Sequence, residues 1–465
     1  MDNPGAVTVQ DGAPDDGRSP SRLRTDLTIV LVSWGVFGSC WFNAVLGAPY
    51  TAFAVRLGAD PLMLGFLSAA AVLGVVGQVF SAYLIERTGR RRAIFLAVDL
   101  VQRPLWVLVG ALPFLIPSRH AEWRVIGLLL LTLTSSLMGN TGSPAWIGWM
   151  AHVIPSHLRA RFLGVRYRLA TITGVITALV VGKVLDWDSS YRTFFAIFSA
   201  AALMGTIDIV LFFLIPRGDE APSPDPPSVA TILRIPWSDR RFRLYLYYVA
   251  GSAASYGILG QFLTLYLLER ISLGKFYTNL YLFVLPMIVA AMLGPMIGRR
   301  IGDYGNRPVL LLATLVAVPL PLMFGAASHH NAALLAGAGV LAGIVTGVLG
   351  IAELNMLFAM TPAARRSAYL AAVALTAGTV GAAAPMVGGA VAQLLTGWSA
   401  TVWGLPVTNL HVVFLAAAVL RILHAAILVP RLPEPDARPV GELLADVLKA
   451  PKGAASAAVR RLVRR

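Results

Sequence analysis

The sequence predicts an all-α membrane protein with twelve transmembrane helices arranged in two related six-helix halves. Hydrophobic residues make up 57% of the 465 residues and charged residues only 13%, and the mean hydropathy is +0.71. A water-soluble protein cannot cover so much apolar side chain with its polar residues. The apolar runs are also about 20 residues long, which is the length that an α-helix needs to cross the hydrocarbon core of a bilayer.

The apolar runs fall into two groups of six, separated by a polar, proline-rich stretch with several arginines that is typical of a solvated linker. We expect a disordered cytoplasmic tail over 1–26, a first bundle over 27–216, a linker over 217–243, a second bundle over 244–432 and a basic amphipathic tail over 433–465. The runs begin near Leu27, Pro61, Ala93, Val125, Phe162, Tyr191, Leu244, Phe276, Pro308, Ala332, Tyr369 and Val407.

Lysine and arginine are distributed unevenly over the predicted loops. If the N-terminus is cytoplasmic, most of the 38 basic residues fall on the cytoplasmic side, in agreement with the positive-inside rule. One missed crossing would invert every later loop and destroy this asymmetry. We therefore expect both termini on the cytoplasmic side. Arginine outnumbers lysine and alanine is abundant, a composition that suits a bacterium with a GC-rich genome, so we expect the chain in a bacterial cytoplasmic membrane.

The net charge of +15 does not indicate a nucleic-acid partner, because the basic residues form short clusters between apolar runs and no basic face carries interleaved aromatics. Cys40 is the only cysteine, which excludes an intramolecular disulfide and a cysteine-based metal cluster. We expect no cofactor, no metal and a monomer whose partners are the lipid bilayer, a small-molecule substrate and protons.

The two groups of helices resemble each other in sequence. A proline, an arginine, an aromatic residue, a leucine and a glycine recur at the same mutual spacing after the fourth and after the tenth helix. Such a repeat indicates that the halves are related by an axis along the membrane normal, as in transporters built from parallel repeats. The matching residues are Pro155, Arg159, Phe162, Leu163 and Gly174, and Pro362, Arg366, Tyr369, Leu370 and Gly381.

Two short basic motifs occupy corresponding loops, between helices two and three and between helices eight and nine. Glycines permit a tight reversal there, and arginines remain outside the hydrocarbon. The residues concerned are Glu86, Arg87, Gly89, Arg90 and Arg91 in the first loop, and Asp303, Gly305 and Arg307 in the second. These loops resemble the hallmark loops of the major facilitator superfamily, although Ala82 and Glu86 replace a usual glycine and aspartate.

This resemblance implies a secondary transporter whose helices 1, 4, 7 and 10 line a central cavity, with the third helix flanking it. It also implies that the two loops are latches that hold one conformation by contacts between the halves. Without the resemblance, each loop is a cytoplasmic anchor. The fifth helix lacks the Gly-Pro-x-x-Gly-Gly element of drug/proton antiporters, which weakens that activity, and a similar string occurs in the eleventh helix as Ala384-Pro385-Met-Val-Gly388-Gly389.

Ionisable side chains inside the apolar runs are the proton-coupling candidates, because such groups are costly in hydrocarbon. Glu353, in the tenth helix, is the strongest candidate, since it has no obvious local partner. Asp99 and Arg103 are four residues apart in the third helix and can form an ion pair on one face. We favour a static pair, with a proton- or substrate-linked switch as the alternative. Asp208, in the sixth helix, is a further candidate and by position a structural partner.

Aromatic and amide side chains on the expected cavity helices are the substrate candidates, and they suit an amphipathic organic solute. Interfacial tryptophans and tyrosines, and amides that bond between helices, would give the same pattern without touching a substrate. The candidates are Trp41, Asn43 and Tyr50 in the first helix, Asn140, Trp146 and Trp149 in the fourth, Tyr248, Ser255, Tyr256 and Gln261 in the seventh, and Asn355 in the tenth.

The sequence thus predicts a secondary active transporter that moves a small organic solute by alternating access, with proton-coupled efflux or exchange as the favoured mode. An uptake carrier, a transporter-like lipid flippase and a sensor are the alternatives. The sequence contains no phosphate-binding loop for ATP and no hydrolase or metalloprotease motif, so we do not expect an enzyme.

Overall fold

The computed structural model describes residues 19–216, 234, 236–328, 331–361, 366–402, 405–434 and 436–449. The predicted N-terminal tail up to residue 18, most of the predicted linker and the C-terminal tail from residue 450 lie outside the described residues, as does Pro362 of the repeat. The described chain is almost entirely helical. Eleven of its helices are long and apolar enough to cross a membrane.

The first half consists of six membrane-spanning helices joined by short turns. Gly58 and Gly89 adopt positive φ angles of 101° and 65° at the ends of the first two helices, where a left-handed residue stops the helix. Asp60 and Ser190 cap the helices that follow them. The six helices are α1 (Pro20–Leu57), α2 (Pro61–Thr88), α3 (Arg91–Leu115), α4 (Ser118–Val153), α5 (Ser156–Trp187) and α6 (Tyr191–Leu214).

The second half repeats this order. Its helices are α7 (Arg240–Gly257, continued by Phe262–Leu265 and Tyr266–Arg270), α8 (Lys275–Asn279, Leu280–Val284 and Leu285–Tyr304 in succession), α9 (Asn306–Gly325), α10 (Ala332–Met360), α11 (Arg366–Leu394), α12 (Asn409–Arg431) and the short α13 (Val440–Lys449). Strands β1 (Ser399–Val402) and β2 (Leu405–Thr408) pair antiparallel before α12.

Among the described helices, α7 is the predicted crossing that lacks an uninterrupted stretch both long and apolar enough to cross a membrane. Its first turn carries Arg240, Arg241 and Arg243, and the helix is interrupted by a turn from Ile258 to Gln261. The chain then continues in helical form to Arg270, so two helical segments separated by a turn together form the seventh helix of the bundle. The fold is therefore an all-α membrane bundle of two six-helix halves.

The third helix of each half is broken at the same place. Helix α3 is interrupted at Arg103 and Pro104, and α9 at Val318 and Pro319. Proline lacks the N–H group and clashes with the preceding turn, so it ends or kinks a helix. The shared break supports the relationship between the halves and leaves backbone carbonyls near the middle of the bundle without helical partners.

The halves pack closely at one end of the bundle. We call this the distal end, because it lies opposite the terminal end, at which α1 begins and α12 ends. Helices α2 and α11 cross there in antiparallel contact, with a Cβ on Gly65 falling only 2.5 Å from the Pro385 carbonyl oxygen. A Cβ on Gly389 would fall 2.8 Å from the Pro61 carbonyl oxygen. Glycines on both helices thus allow their backbones to touch.

Helices α5 and α8 form the second distal contact. The Asp186 carboxylate accepts hydrogen bonds from the backbone N–H groups of Lys275 (2.6 Å) and Phe276 (3.1 Å), so a residue of one half caps a helix of the other. Asn279 donates to the Ala178 carbonyl oxygen at 2.9 Å. These bonds hold the distal ends of the halves together.

The apolar cores show that the halves are joined at the distal end and separate at the terminal end. One buried cluster contains side chains of both halves, among them Phe53 and Phe262. The two clusters nearer the terminal end each contain residues of one half alone: one surrounds Tyr245 in the second half, and the other surrounds Trp149 in the first. The described structure is thus asymmetric along the bundle axis.

Candidate functional site

A cavity of about 510 Å³ lies inside the first half. All six helices of that half contribute to its wall, which combines indole rings, two carboxylates, two guanidinium groups and two amides. The lining side chains that matter most are Trp34, Trp41, Asp99, Gln102, Arg103, Trp106, Asn140, Trp146, Arg166 and Asp208. A volume in this range is typical of small-molecule sites, which lie between about 300 and 1,000 Å³.

Arg103 is the centre of a buried ionic network in this cavity. Its guanidinium lies 3.7 Å from a carboxylate oxygen of Asp99 and 3.3 Å from one of Asp208, and its exposed side-chain fraction is 5%. The break of α3 places Arg103 beside α6, so the acid on its own helix and the acid on α6 reach it together. The Arg103 guanidinium also stacks on Trp41, 3.7 Å from the ring centroid.

The network contains one more acidic than basic group, and some of its polar atoms have no protein partner. Asp99 Oδ2, Asp208 Oδ1 and Arg103 Nε are buried without a hydrogen-bond partner among the described residues. Buried polar atoms without a partner are costly. The network therefore has unused hydrogen-bonding capacity within the cavity wall.

Arg166, on α5, contributes the second guanidinium. It lies 4.4 Å from the ring centroid of Trp146 and 5.6 Å from that of Trp34. Asp208 acts on it electrostatically, but the two groups form no ion pair. The aromatic faces thus hold this arginine at the cavity wall.

Amide groups complete the wall. Gln102 donates to the Ser135 carbonyl oxygen at 2.9 Å, while its own oxygen has no partner in the described structure. Asn140 donates to the Ser136 carbonyl oxygen at 2.9 Å and accepts from Gln78 at 3.0 Å. Gln102 is thus held at the cavity wall by its amide nitrogen.

The fold and the sequence agree on a family. The model of the Major Facilitator Superfamily matches residues 32–303 and 278–463, which together cover most of the chain. The chain belongs to the major facilitator superfamily. No functionally curated protein matches the sequence significantly.

Solved structures of superfamily transporters have the same fold. The nucleoside transporter NupG, in a mutant form, shares 12% identity over 88% of this chain and 100% of its own, with a TM-score of 0.67. A bacterial homologue of the human lysosomal transporter Spinster, inward-facing and unoccupied, shares 14% identity over 89% and 98%, with a TM-score of 0.65. A POT family transporter in complex with 5-aminolevulinic acid shares 15% identity over 89% and 97%, with a TM-score of 0.64.

The second half of this superfamily member has a polar cluster of different chemistry. Glu353 accepts hydrogen bonds from Tyr248 (2.8 Å) and Ser252 (3.3 Å), and Tyr245 donates to the Glu353 carbonyl oxygen at 2.9 Å. The Tyr248 ring packs on His424, with centroids 4.8 Å apart. Glu353 therefore has partners on α7 that its sequence neighbourhood did not indicate.

Arg421, on α12, is the buried cation of the second half. It donates to the Ala317 carbonyl oxygen at the break of α9 and stacks on Tyr256, 4.4 Å from the ring centroid. It forms no ion pair among the residues that the structure describes. Its role is to satisfy a carbonyl that the helix break exposes.

Six predicted site residues line the first-half cavity: Trp41, Asp99, Arg103, Asn140, Trp146 and Asp208. The expected cavity was a central one lined by helices 1, 4, 7 and 10 with the third helix flanking it. The cavity described here is lined by helices of the first half alone, and Asp99 and Arg103 of the third helix belong to its wall. The expected ion pair within α3 forms, but Arg103 lies closer to Asp208 than to Asp99. The kink at Pro104 accounts for this by directing the arginine toward α6.

The other substrate candidates of the first half do not line this cavity. Asn43 donates to the Ser39 carbonyl oxygen, and the Tyr50 hydroxyl bonds Thr132 at 2.7 Å within the distal core. Trp149 is buried and donates to the Pro216 carbonyl oxygen at 3.0 Å.

In the second half, the Ser255 hydroxyl donates to the Ser252 carbonyl oxygen, and Gln261 accepts from Thr51 across the halves at 2.9 Å. Asn355 is exposed. Tyr248 and Tyr256 belong to the Glu353 and Arg421 clusters described above.

The cavity residues that the sequence did not indicate include Trp34, Gln102, Trp106 and Arg166. Arg166 lies in a basic run with Arg161 and Arg168, a pattern that does not distinguish a cavity arginine from a cytoplasmic anchor. Gln102 and Trp106 flank Arg103 on the third helix, and the local pattern does not show that this helix faces a cavity.

The first predicted latch loop makes contacts within its own half. Arg87 donates to the Tyr83 hydroxyl at 2.6 Å, Gly89 ends α2, and a Cβ on Gly148 would fall 2.5 Å from the Arg91 guanidinium. Arg90 is exposed. Glu86 forms no ion pair with the other half in the described part of the chain.

The second latch loop is held by the segment that follows α12. Gly305 has a φ of 92°, and the Glu434 carboxylate accepts from the backbone N–H groups of Asn306 (2.9 Å) and Arg307 (2.6 Å). Within the described residues, Asp303 does not pair with the first half. The latch function of both loops thus remains a prediction.

Proposed function

We propose that this chain is a secondary active transporter that moves a small organic solute by alternating access, coupled to protons. The observation that carries the proposal is the asymmetry between the ends of the bundle: the halves share one core at the distal end and have separate cores at the terminal end. A binding cavity in such a bundle is accessible from one side at a time if the halves rock about it.

The sidedness of this state follows from the charge distribution. The predicted cytoplasmic loops carry most of the basic residues, and both chain termini belong to that side. The separated terminal ends would then face the cytoplasm, and the closed distal end would face outward. The state is inward-facing on this interpretation.

Proton coupling is assigned to the network of Asp99, Arg103 and Asp208. With both acids charged, Arg103 is held between them; a proton on either acid leaves the arginine paired with the other. Because Arg103 belongs to α3 and Asp208 to α6, this exchange changes how firmly two helices of the cavity are tied together. A bistable pairing of this kind can link protonation to a conformational change.

Glu353 is the second proton-coupling candidate. It is half-buried and hydrogen-bonded to Tyr248 and Ser252, which fixes its carboxylate in the second half. It lies outside the first-half cavity. We infer that its main role is to hold α7 against α10, and that the Arg103 network carries the coupled proton.

Exchange of solute for protons is consistent with either efflux or uptake, and the imposed gradient sets the direction. The aromatic walls and amides of the cavity, together with its volume of about 510 Å³, support a small organic solute rather than a lipid. A sensor would bind such a solute without moving it. The following experiment distinguishes a sensor from a transporter, because it measures flux.

The experiment is proton flux in proteoliposomes under an imposed pH gradient, with a panel of small organic solutes. We expect solute-dependent flux in the wild type, no such flux in Asp208→Asn and retained flux in Glu353→Gln. The two variants are matched, because each replaces one carboxylate by an amide. Loss of flux in Glu353→Gln alone would move the coupling to the second half, and absence of flux with every solute would contradict proton coupling.

A further inference from the structure

We infer that the solute bound in the first-half cavity is an organic anion with an aromatic or apolar body, and that Arg166 recognises its acidic group. The inference rests on the proposed transport function and names the substrate class of that site. Its starting point is the difference between the two guanidinium groups of the cavity.

Arg103 is paired with carboxylates of the protein, whereas Arg166 is not. Arg103 lies within 4 Å of both Asp99 and Asp208 and is 5% exposed. Arg166 also lines the cavity, yet it forms no ion pair among the described residues, and its Nε has no hydrogen-bond partner there. Of the two, Arg166 is the cation available to a ligand.

A partly buried arginine without a paired carboxylate is costly in a membrane protein, and such groups mark substrate pathways. Trp34 and Trp146 offset part of this cost by stacking, but an aromatic face leaves the in-plane N–H donors of the guanidinium unused. Those donors match the geometry of a carboxylate or phosphate group, which they can bind in bidentate fashion.

Two further donors belong to residues of the cavity wall. The indole N–H groups of Trp41 and Trp106 are buried and have no hydrogen-bond partner in the described structure, and both residues line the cavity. An indole nitrogen can only donate. These two N–H groups are enclosed within the wall, so Arg166 is the donor that we assign to the acidic group of the ligand.

The remaining wall selects the body of the ligand. Four tryptophan rings, at positions 34, 41, 106 and 146, surround the cavity, and aromatic rings stack on planar or apolar groups. The carboxylates of the Arg103 network would repel an anion unless one of them is protonated. Binding of an anion would therefore favour uptake of a proton by the same network, which links the substrate class to the coupling.

The test uses three probes that share one aromatic body and differ in charge: indole-3-acetate, indole-3-acetamide and tryptamine. Binding to the purified protein at neutral pH is measured by isothermal titration calorimetry. We expect the anion to bind at least about tenfold more tightly than the neutral amide, because a charge-assisted pair replaces a neutral hydrogen bond. The cation should bind most weakly.

The variants are Arg166→Gln, Arg166→Lys and, as a matched control, Arg168→Gln, which neutralises an exposed arginine on the same helix. We expect Arg166→Gln to bring anion and amide affinities within about threefold of each other, and Arg166→Lys to restore part of the preference. The control should retain the wild-type order. Arg166→Lys also serves as the test if the glutamine variant does not fold.

The outcomes separate the two proposals. Equal or tighter binding of the amide or the cation, or an unchanged anion preference in Arg166→Gln, would overturn the anion assignment while leaving the cavity as a solute site. Binding of none of the three probes would contradict the cavity as the solute site itself, and with it this substrate class.

Discussion

Each half of this transporter places a buried arginine beside the broken third helix of its own repeat, but the two arginines have different kinds of partner. In the first half Arg103 lies at the break and pairs with two carboxylates, one of them on the sixth helix, α6. In the second half Arg421 lies on α12, the corresponding sixth helix, and donates to the carbonyl oxygen of Ala317 at the break.

This difference separates a titratable arrangement from a static one. A pair of acids that share one arginine changes with protonation, whereas an arginine bonded to a backbone carbonyl has no partner that can take a proton. The first half also has the 510 Å³ cavity around its network. If the proposed coupling holds, related repeats keep the same helix break while only the first half links that break to a pair of carboxylates.

The largest effect should come from neutralising the first-half network. Asp208→Asn removes the nearer partner of Arg103, and we expect loss of proton-driven transport. Removing one partner of a buried ion pair typically costs about 3–5 kcal/mol, and Asp99 should reduce that cost here by retaining part of the pairing. Transport and thermal unfolding measured on the same preparation would show both effects.

Arg421→Gln is the corresponding change in the second half. We expect lower thermal stability, because the Ala317 carbonyl loses its donor, with proton coupling retained per folded molecule. If Arg421→Gln abolished coupling while Asp208→Asn did not, the assignment of the two halves would have to be exchanged.

The next effect concerns the distal contact between the halves. Gly65→Leu would place side-chain atoms where the Pro385 carbonyl oxygen lies, 2.5 Å from the Cβ position, and would force α2 away from α11. Overpacking of this kind costs about 1–3 kcal/mol, which shifts the balance of the two end states by about fivefold to more than a hundredfold. Initial rates of solute transport should fall accordingly.

Gly164→Leu is the matched control for that change. Its Cβ would meet nothing within 4 Å, so the same substitution should leave transport rates close to those of the wild type. Equal losses in both variants would show that leucine acts through general destabilisation rather than through the distal contact.

A smaller effect is expected at the helix cap between the halves. Asp186→Asn removes the negative charge that faces the N-terminus of α8, where a carboxylate contributes about 0.3–1 kcal/mol. The distal end should then open more often, by about two- to fivefold in population. Asp188→Asn is its control, since Asp188 bonds Ser190 and Thr193 of its own half. Equal shifts in both variants would contradict the role of the cap.

Sequence reasoning predicted the fold well, because apolar runs and the basic-residue asymmetry are strong signals that each span carries by itself. The position of Asp99 four residues before Arg103 was enough to predict their pairing. The sequence could not predict the pairing of Arg103 with Asp208, because that contact depends on the kink at Pro104 and on how α3 packs against α6. Arg166 was missed for a related reason: only the packed bundle shows which arginine of a basic run turns inward.

Spin-label distances at both ends of the bundle test the central claim most directly. In a Cys40→Ser background, one labelled pair at Thr88 and Arg299 would report on the terminal end, and another at Arg119 and Thr396 on the distal end; all four positions are exposed. In liposomes we expect each pair to show a short and a long distance. Between alkaline and acidic pH, the fraction with the long distance should rise at one end of the bundle and fall at the other. Single distances that do not change, or shifts in the same direction at both ends, would contradict alternating access.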